Sequence, residues 1–433
     1  MNKAWQRVVR MANLIFQQAV DAGQRVAQMR RDACYDIADD HRVADESVPF
    51  VMPATTCMPG ATTVKVATSS VPKMFLSNDC SFNCAYCGCR CSRDEPQRYV
   101  MPPRELARLS VEEATRNGRG VFITSAIYKS ADTTQELILE TVRAIREDYG
   151  YGGYVHAKVM PGADEGLIRR TGRYANRLSV NIEVAKSAGY AMVAKQKSKA
   201  NILAPMRQIS ELVSEVRASN RAAGLATTQT TQLMAGATGE DDRVILTLAR
   251  ALYETYRLKR VYYTAFQYSH PAKGYDLSPI ATPHWRMARL YQADRLLALY
   301  HYAPDELTPP DHAFLEPDID PKAAWALRNL HRFPVEINTA DYEALLRVPG
   351  IGITGANRIL EARRCGGITH EMLARMRISL RRSAYFITCG GKFTGGRMAE
   401  SPALRGVLAG QERRSALALP AGQMSFGDLD IGF

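Results

Sequence analysis

Apolar residues fall along the chain in two alternating rhythms. Short runs rich in β-branched and aromatic residues read as strands: KMFLSN (73–78), VFITSA (121–126), YVHAKVM (154–160), RLSVNIEVA (177–185), ATTQTTQLM (226–234) and RVYYTAFQ (260–267). Between them lie longer helical segments, RELARLSVEEATRN, TTQELILETVRAIREDYG, DEGLIRRTGRYAN, MRQISELVSEVRASNRAAG and EDDRVILTLARALYETYRL. In the second of these Leu137, Val142 and Ile145 recur at helical spacing with charges opposite. Six such βα units predict parallel strands joined by right-handed crossovers. The expected fold is α/β, a partial (β/α)6 barrel with its chemistry at the carboxyl ends of the strands.

A longer helix, PHWRMARLYQADRLLALYHY, follows the sixth strand, and then the proline- and acid-rich APDELTPPDHAFLEPDIDPK reads as an extended linker or strap. After it NTADYEALLRVPGIGITGANRILEARR is helix, tight turn, helix. The domains expected are an N-terminal helical or irregular preamble (1–60), the barrel (61–302), the strap (303–335), a small helical domain (336–397) and a flexible, aperiodic tail (398–433).

Composition narrows the setting. The 433 residues are 46% apolar, enough to bury a core without crosslinks, and no run approaches the apolar length of a membrane span. The N-terminus lacks the apolar stretch and cleavage site of a secretory signal, so a cytoplasmic location is expected, where thiols stay reduced. The net charge is +12, a balance that attracts polyanions. From Pro321 to Arg397, 13 Lys/Arg stand against 5 Asp/Glu, so a net +8 falls in the smaller domain.

Five of the nine cysteines lie in DCSFNCAYCGCRCSRD, directly after the first strand. Cys80, Cys84 and Cys87 are spaced C-x3-C-x2-C. Soft thiolates in a loop leaving a strand end suit zinc or an iron–sulfur cluster, and structural zinc would want a close fourth ligand. With an aromatic residue, Tyr86, before the last cysteine, the triplet resembles the signature of the radical S-adenosylmethionine superfamily. The resemblance implies a [4Fe–4S] cluster on Cys80, Cys84 and Cys87. S-adenosylmethionine would chelate the fourth iron and be cleaved to a 5′-deoxyadenosyl radical, with electrons from a donor such as flavodoxin or ferredoxin. Cys89 and Cys91 lie outside that signature; as bystanders they would only pack, and otherwise they are candidates for a hydrogen-atom donor or, with Cys57, an auxiliary metal ligand.

The same resemblance assigns cofactor-binding roles at later strand ends. Ser125 in FITSAIY stands where the superfamily has a Gly-Gly-Glu-like turn for the cofactor's amino group, although the glycines and the acid are absent here. Ser179, Asn181 and Glu183 alternate on one face of the fourth strand, with Glu183 as the expected ribose ligand. Gly236 in TTQLMAGATGEDD would let backbone approach adenine, with Glu240 as a helix N-terminal charge. Phe266 and its backbone would meet the adenine ring. Tyr262, Tyr263 and Tyr268 read as packing residues.

In the small domain, Leu346, Pro349-Gly350-Ile351-Gly352, Ala356 and Ile359 resemble the helix-hairpin-helix DNA-binding motif, whose turn offers amides to a phosphate. Arg358, Arg363 and Arg364 would add charge to that DNA contact, as would Arg375, Arg377, Arg381 and Arg382. A hairpin that merely packs against protein is the alternative. The tail's Gln423, Met424, Ser425 and Phe426 are similar to peptides that dock on the bacterial sliding clamp. From about Ala33 to Phe393 the chain resembles a family of DNA modification or repair radical S-adenosylmethionine proteins. The function this implies is radical chemistry on DNA; the alternatives are RNA as substrate and an iron–sulfur DNA-binding protein of the glycosylase kind.

Overall fold

The computed structural model describes residues 71–93, 98–118, 120–219, 224–268, 272–277, 280–396 and 403–417. The preamble, with Cys57, and the segment carrying Gln423 to Phe426 lie outside the described residues.

Six parallel strands form one sheet in chain order. They are β1 (Lys73–Phe75), β2 (Val121–Thr124), β3 (Val155–Lys158), β4 (Arg177–Ser179), β5 (Thr228–Ala235) and β6 (Arg260–Ala265). The helices that return the chain are α1 (Pro103–Asn117), α2 (Ala131–Glu147), α3 (Glu165–Tyr174), α4 (Gly189–Val193), α5 (Lys199–Ala218) and α6 (Asp242–Tyr256). Every residue of β2, β3 and β4 is buried, as expected when a parallel sheet is covered on both faces. Side-chain caps fix where the helices start. Ser130, Asp164, Ser198 and Asp241 each accept a backbone N–H of the first turn, and Asn201 completes a capping box with Ser198. Each such start lies at the carboxyl edge of the sheet, which fixes the connections that face the mouth. The architecture is the partial (β/α)6 barrel expected from the sequence.

The fourth strand is shorter than its sequence suggests. Thr231 Oγ1 donates to Val180 O (2.8 Å) and accepts from Ile182 N–H (2.9 Å), replacing a stretch of ladder between β4 and β5. Pairing resumes at Glu183, which bridges Leu233 with a left-handed φ of 65°. The strict alternation expected over 177–185 is broken at that residue.

Beyond the barrel come the pair β7 (Gln267–Tyr268) and β8 (Ile280–Ala281) and the long α7 (His284–Tyr300). The strap is not extended. It forms α8 (Pro304–Leu307), α9 (Pro321–Arg328) and a 3-10 turn at Leu330–Arg332, because Asp320 caps α9 and buries Trp325 against Tyr302 and Phe333. The small domain holds β9 (Val335–Glu336), α10 (Tyr342–Arg347), α11 (Ile353–Ala362), α12 (His370–Arg375), α13 (Leu380–Ser383), β10 (Ile387–Cys389) and β11 (Lys392–Phe393). Its three strands form a sheet that the helical reading did not foresee. The tail also departs from expectation: Leu404–Leu417 forms α14, with Leu404 and Leu408 buried one turn apart and Arg405 paired with Asp318 (2.7 Å) and Glu316. No helix of the described residues is long and apolar enough to cross a membrane.

Candidate functional site

β1 delivers the chain to the cysteine loop at the carboxyl edge of the sheet. Leu76 N–H bonds to Thr124 O (2.9 Å) and Ala126 N–H to Ser77 O (2.8 Å), which carries the β1–β2 pairing past the strand ends. Ser81 then donates both its N–H (2.8 Å) and its hydroxyl (3.0 Å) to Ile127 O. Ala85 N–H reaches Val193 O of α4 (2.8 Å), and Asn83 Nδ2 reaches Lys273 O between β7 and β8 (2.7 Å). The loop is thus stitched to the connections that follow β2, β4 and β6.

One guanidinium closes it from beneath. Arg98 donates from Nη1 to Asn78 O and Cys89 O and from Nη2 to Arg90 O and Arg93 O, at 2.5 to 2.8 Å. These carbonyls meet only in the folded loop, so no motif in the sequence marks Arg98. Charge-assisted bonds to four carbonyls tie the two ends of the cysteine stretch together.

Within the loop Cys84 and Cys89 are buried, Cys80 and Cys87 half-buried, and Cys91 exposed. Phe82 N–H donates to Cys80 Sγ (3.3 Å), and Cys89 N–H donates to Cys87 Sγ (3.4 Å). Burial and then Cys87 push the Cys80 thiol up to about 12, against the pull of the Phe82 amide. Burial pushes Cys84 up to about 11, with Lys197 opposing. Cys87 is raised first by its hydrogen bond with Cys89 and then by burial. Among the described residues no three His, Cys, Asp or Glu side chains converge on a position for one ion. The fit of the loop to an iron–sulfur cluster rests instead on its chemistry: three soft donors on one loop, two carrying N–H···S bonds. Burial, the neighbouring thiols and, at Cys87, the hydrogen bond with Cys89 hold these thiols high.

Lys197 is the cation built into this wall, and sequence reasoning missed it. Its Nζ donates to Glu183 Oε1 (2.6 Å) and to Tyr86 Oη (3.3 Å). Burial works against its charge, but the Glu183 carboxylate and the nearby Cys84 outweigh that and raise its pKa. The signal available was the lysine-rich KQKSK after α4, which says nothing of which lysine turns inward.

The structure distributes the remaining cofactor-binding candidates as follows. Ser179 and Asn181 extend inward, where Ser179 Oγ meets His156 Nε2 (2.7 Å) and Asn181 Oδ1 accepts from Lys158 Nζ. Glu183, at its left-handed φ, turns to Lys197 instead of continuing that row. Ser125 Oγ donates to Ala126 O (2.6 Å). Gly236 has φ 87°, its N–H is held by Glu240, and a Cβ there would lie 2.0 Å from Thr282 Oγ1. The close approach foreseen at Gly236 is therefore made by Thr282 of this chain. Glu240 holds the Gly236–Thr238 turn, accepting also from Thr238 N–H (2.9 Å), while Asp241 is the residue that caps α6. Phe266 is buried, with its N–H on Ala235 O (2.9 Å) and its carbonyl taken by Thr282 N–H (3.2 Å). Its ring stands edge-on to Tyr86 at 6.4 Å, so the aromatic wall of the cysteine loop comes from the connections after β1 and β6 together. Cys80 neighbours Cys87, Cys84 neighbours Glu183, and the rings of Tyr86 and Phe266 meet; Ser125 and Gly236 spend their polar groups on their own turns.

The C-terminal unit is built differently. α10, capped by Asp341, ends at Val348, and α11 starts after Gly352. Gly350 has φ 90°, and a Cβ there would stand 3.0 Å from Ser379 O and from Ser383 N. Lys322, itself buried, donates to Ile351 O. Pro349, Gly350, Ile351 and Gly352 are all buried, so the turn is covered by residues 379–383 and by α9. Arg382, expected to face phosphate, is also buried and paired with Asp320 (3.0 Å). Arg363 donates inward to Ala340 O, whereas Arg358 and Arg364 are exposed.

Residues 332–372 match the helix-hairpin-helix motif family. No curated protein matches the chain. Among solved structures, the X-ray structure of the FeFe-hydrogenase maturase HydG from Carboxydothermus hydrogenoformans is similar over 52% of this chain, with 14% identity and a TM-score of 0.40. The similarity spans 51% of that protein, about half its length.

Proposed function

We propose that the chain is a radical S-adenosylmethionine enzyme that acts on nucleic acid, DNA in the first instance. The observation that carries this reading is the C-x3-C-x2-C loop leaving β1 at the carboxyl edge of a six-stranded parallel sheet, bonded to the connections after β2, β4 and β6. Cys80, Cys84 and Cys87 would hold a [4Fe–4S] cluster, which with S-adenosylmethionine supplies an electron for reductive cleavage and a 5′-deoxyadenosyl radical. The chain's part is to shape and dry the site. Arg98 fixes the loop, Tyr86 and Phe266 wall off water, and Lys197 with Glu183 sets a buried pair of charges beside the thiolates.

Nucleic acid as substrate rests on the helix-hairpin-helix match and on the concentration of positive charge in residues 321–397. The burial of Pro349 to Gly352 favours a second reading, in which this hairpin is a packing unit and the substrate is recognised elsewhere.

The test is anaerobic reconstitution with iron and sulfide, followed by addition of S-adenosylmethionine and dithionite. Formation of 5′-deoxyadenosine is expected, and its absence with both groups bound would defeat the radical reading. Mass analysis of nucleosides after turnover on duplex DNA, single-stranded DNA and RNA then identifies the substrate; no new nucleoside from any of the three would favour the packing reading.

A further inference from the structure

With the hairpin turn buried, the exposed arginines of the same unit, Arg358, Arg364, Arg375, Arg377 and Arg381, are its remaining groups for phosphate. Arg358, midway along α11, donates from Nη1 to Met376 O (3.0 Å), and Met376 is flanked in the chain by Arg375 and Arg377. All three are exposed. Arg377 takes a left-handed φ of 59°, which ends the turn after α12 and sends the chain toward α13. Among the described residues of this half of the molecule, the arginines that form ion pairs are others: Arg328 with Glu316, Arg347 with Glu306, Arg382 with Asp320, and Arg405 with Glu316 and Asp318.

We propose that Arg358, which bonds the Met376 carbonyl, together with Arg375 and Arg377, which flank Met376 in the chain, forms the surface that grips the phosphate backbone of duplex nucleic acid, in place of the hairpin turn. This rests on the nucleic-acid reading above and deepens it. Guanidinium groups suit phosphate because their donors are arranged for two-point contact. A three-point backbone grip fixes position without reading sequence, which leaves discrimination to the barrel mouth.

The experiment measures binding of the full-length chain to a fluorescent DNA duplex of mixed sequence across a salt series. Each phosphate contact contributes about 0.9 to the slope of log affinity against log salt. The triple variant R358Q/R375Q/R377Q is expected to bind about tenfold more weakly or worse, with the slope reduced by about 2 to 3. R375Q/R377Q leaves the Arg358–Met376 bond in place and guards against loss of fold; its slope should fall by about 2. R143Q/R173Q/R207Q removes the same charge from exposed positions on α2, α3 and α5 and should bind as the unchanged protein does.

If R358Q/R375Q/R377Q and R375Q/R377Q bind with unchanged slope, the surface lies elsewhere and the inference fails while the nucleic-acid reading stands. Equal losses in both sets mean net charge alone is responsible, and the inference again fails. If the unchanged protein binds no duplex even at low salt, the inference falls and so does duplex DNA as the substrate, while nucleoside analysis on single-stranded DNA and RNA decides the nucleic-acid reading and 5′-deoxyadenosine formation the radical chemistry.

Discussion

The barrel mouth and the hairpin unit both carry a sequence motif, and the two motifs fare differently in three dimensions. At the mouth, the loop containing C-x3-C-x2-C is held at the sheet edge by bonds to the connections after β2, β4 and β6, and on the proposed reading the motif's own side chains are the working groups. In the hairpin unit, Pro349 to Gly352 are enclosed by α13 and Lys322, so the motif's turn faces the protein. A motif fixes a local backbone path; whether that path faces solvent is decided by elements distant in the chain.

The sharpest way to break this contrast is at the thiols. Cys84→Ala should abolish cluster loading and 5′-deoxyadenosine formation while leaving the fold intact, checked by iron content and circular dichroism. Full iron retention would mean that Cys84 is only a packing residue.

Glu183→Gln comes next. Breaking a buried ion pair leaves one charge unpaired and costs about 3–5 kcal/mol, read from denaturant unfolding. The double variant E183Q/K197M should recover much of that loss, because it removes both charges. Additive losses would show that the two residues do not act as a pair.

Arg98→Met should weaken iron retention by roughly 10- to 100-fold, measured by competition with a chelator. Arg98→Lys, which reaches fewer carbonyls, should fall between.

On the hairpin side, Gly350→Ala forces a side chain into left-handed backbone against Ser379 and Ser383, and should cost about 1–3 kcal/mol. Its effect on stability should exceed its effect on DNA affinity, the reverse of what an exposed turn would give.

The smallest effect concerns pH. Glu336 is held down to about 2, since burial is outweighed by the amides of Gly391, Asn338 and Gly390. The unfolded chain takes up this proton near 4.5, so the contribution is complete above that pH and is lost as pH falls toward 2. Glu336→Gln should flatten the melting temperature over that window.

The strand rhythm made six elements legible because fully buried parallel strands concentrate β-branched residues. The cysteine triplet was legible because ligand spacing is local. What the chain conceals is reciprocity between distant residues. Lys197 matters through Glu183 and Arg98 through four carbonyls, and Gly236 is shaped by Thr282, 46 positions away in sequence. Thr231 likewise interrupts β4 from the neighbouring strand, which no reading of 177–185 alone could show. The strap's prolines suggested extension, yet Pro304 and Pro321 each occupy the first turn of a helix, where a missing N–H costs nothing.

Arg98 has a bearing on when the loop takes its shape. A loop whose ends are pinned by a guanidinium is ordered as the polypeptide folds, so the entropy of arranging its thiols is settled then, and on the proposed reading a cluster would meet a loop already in place.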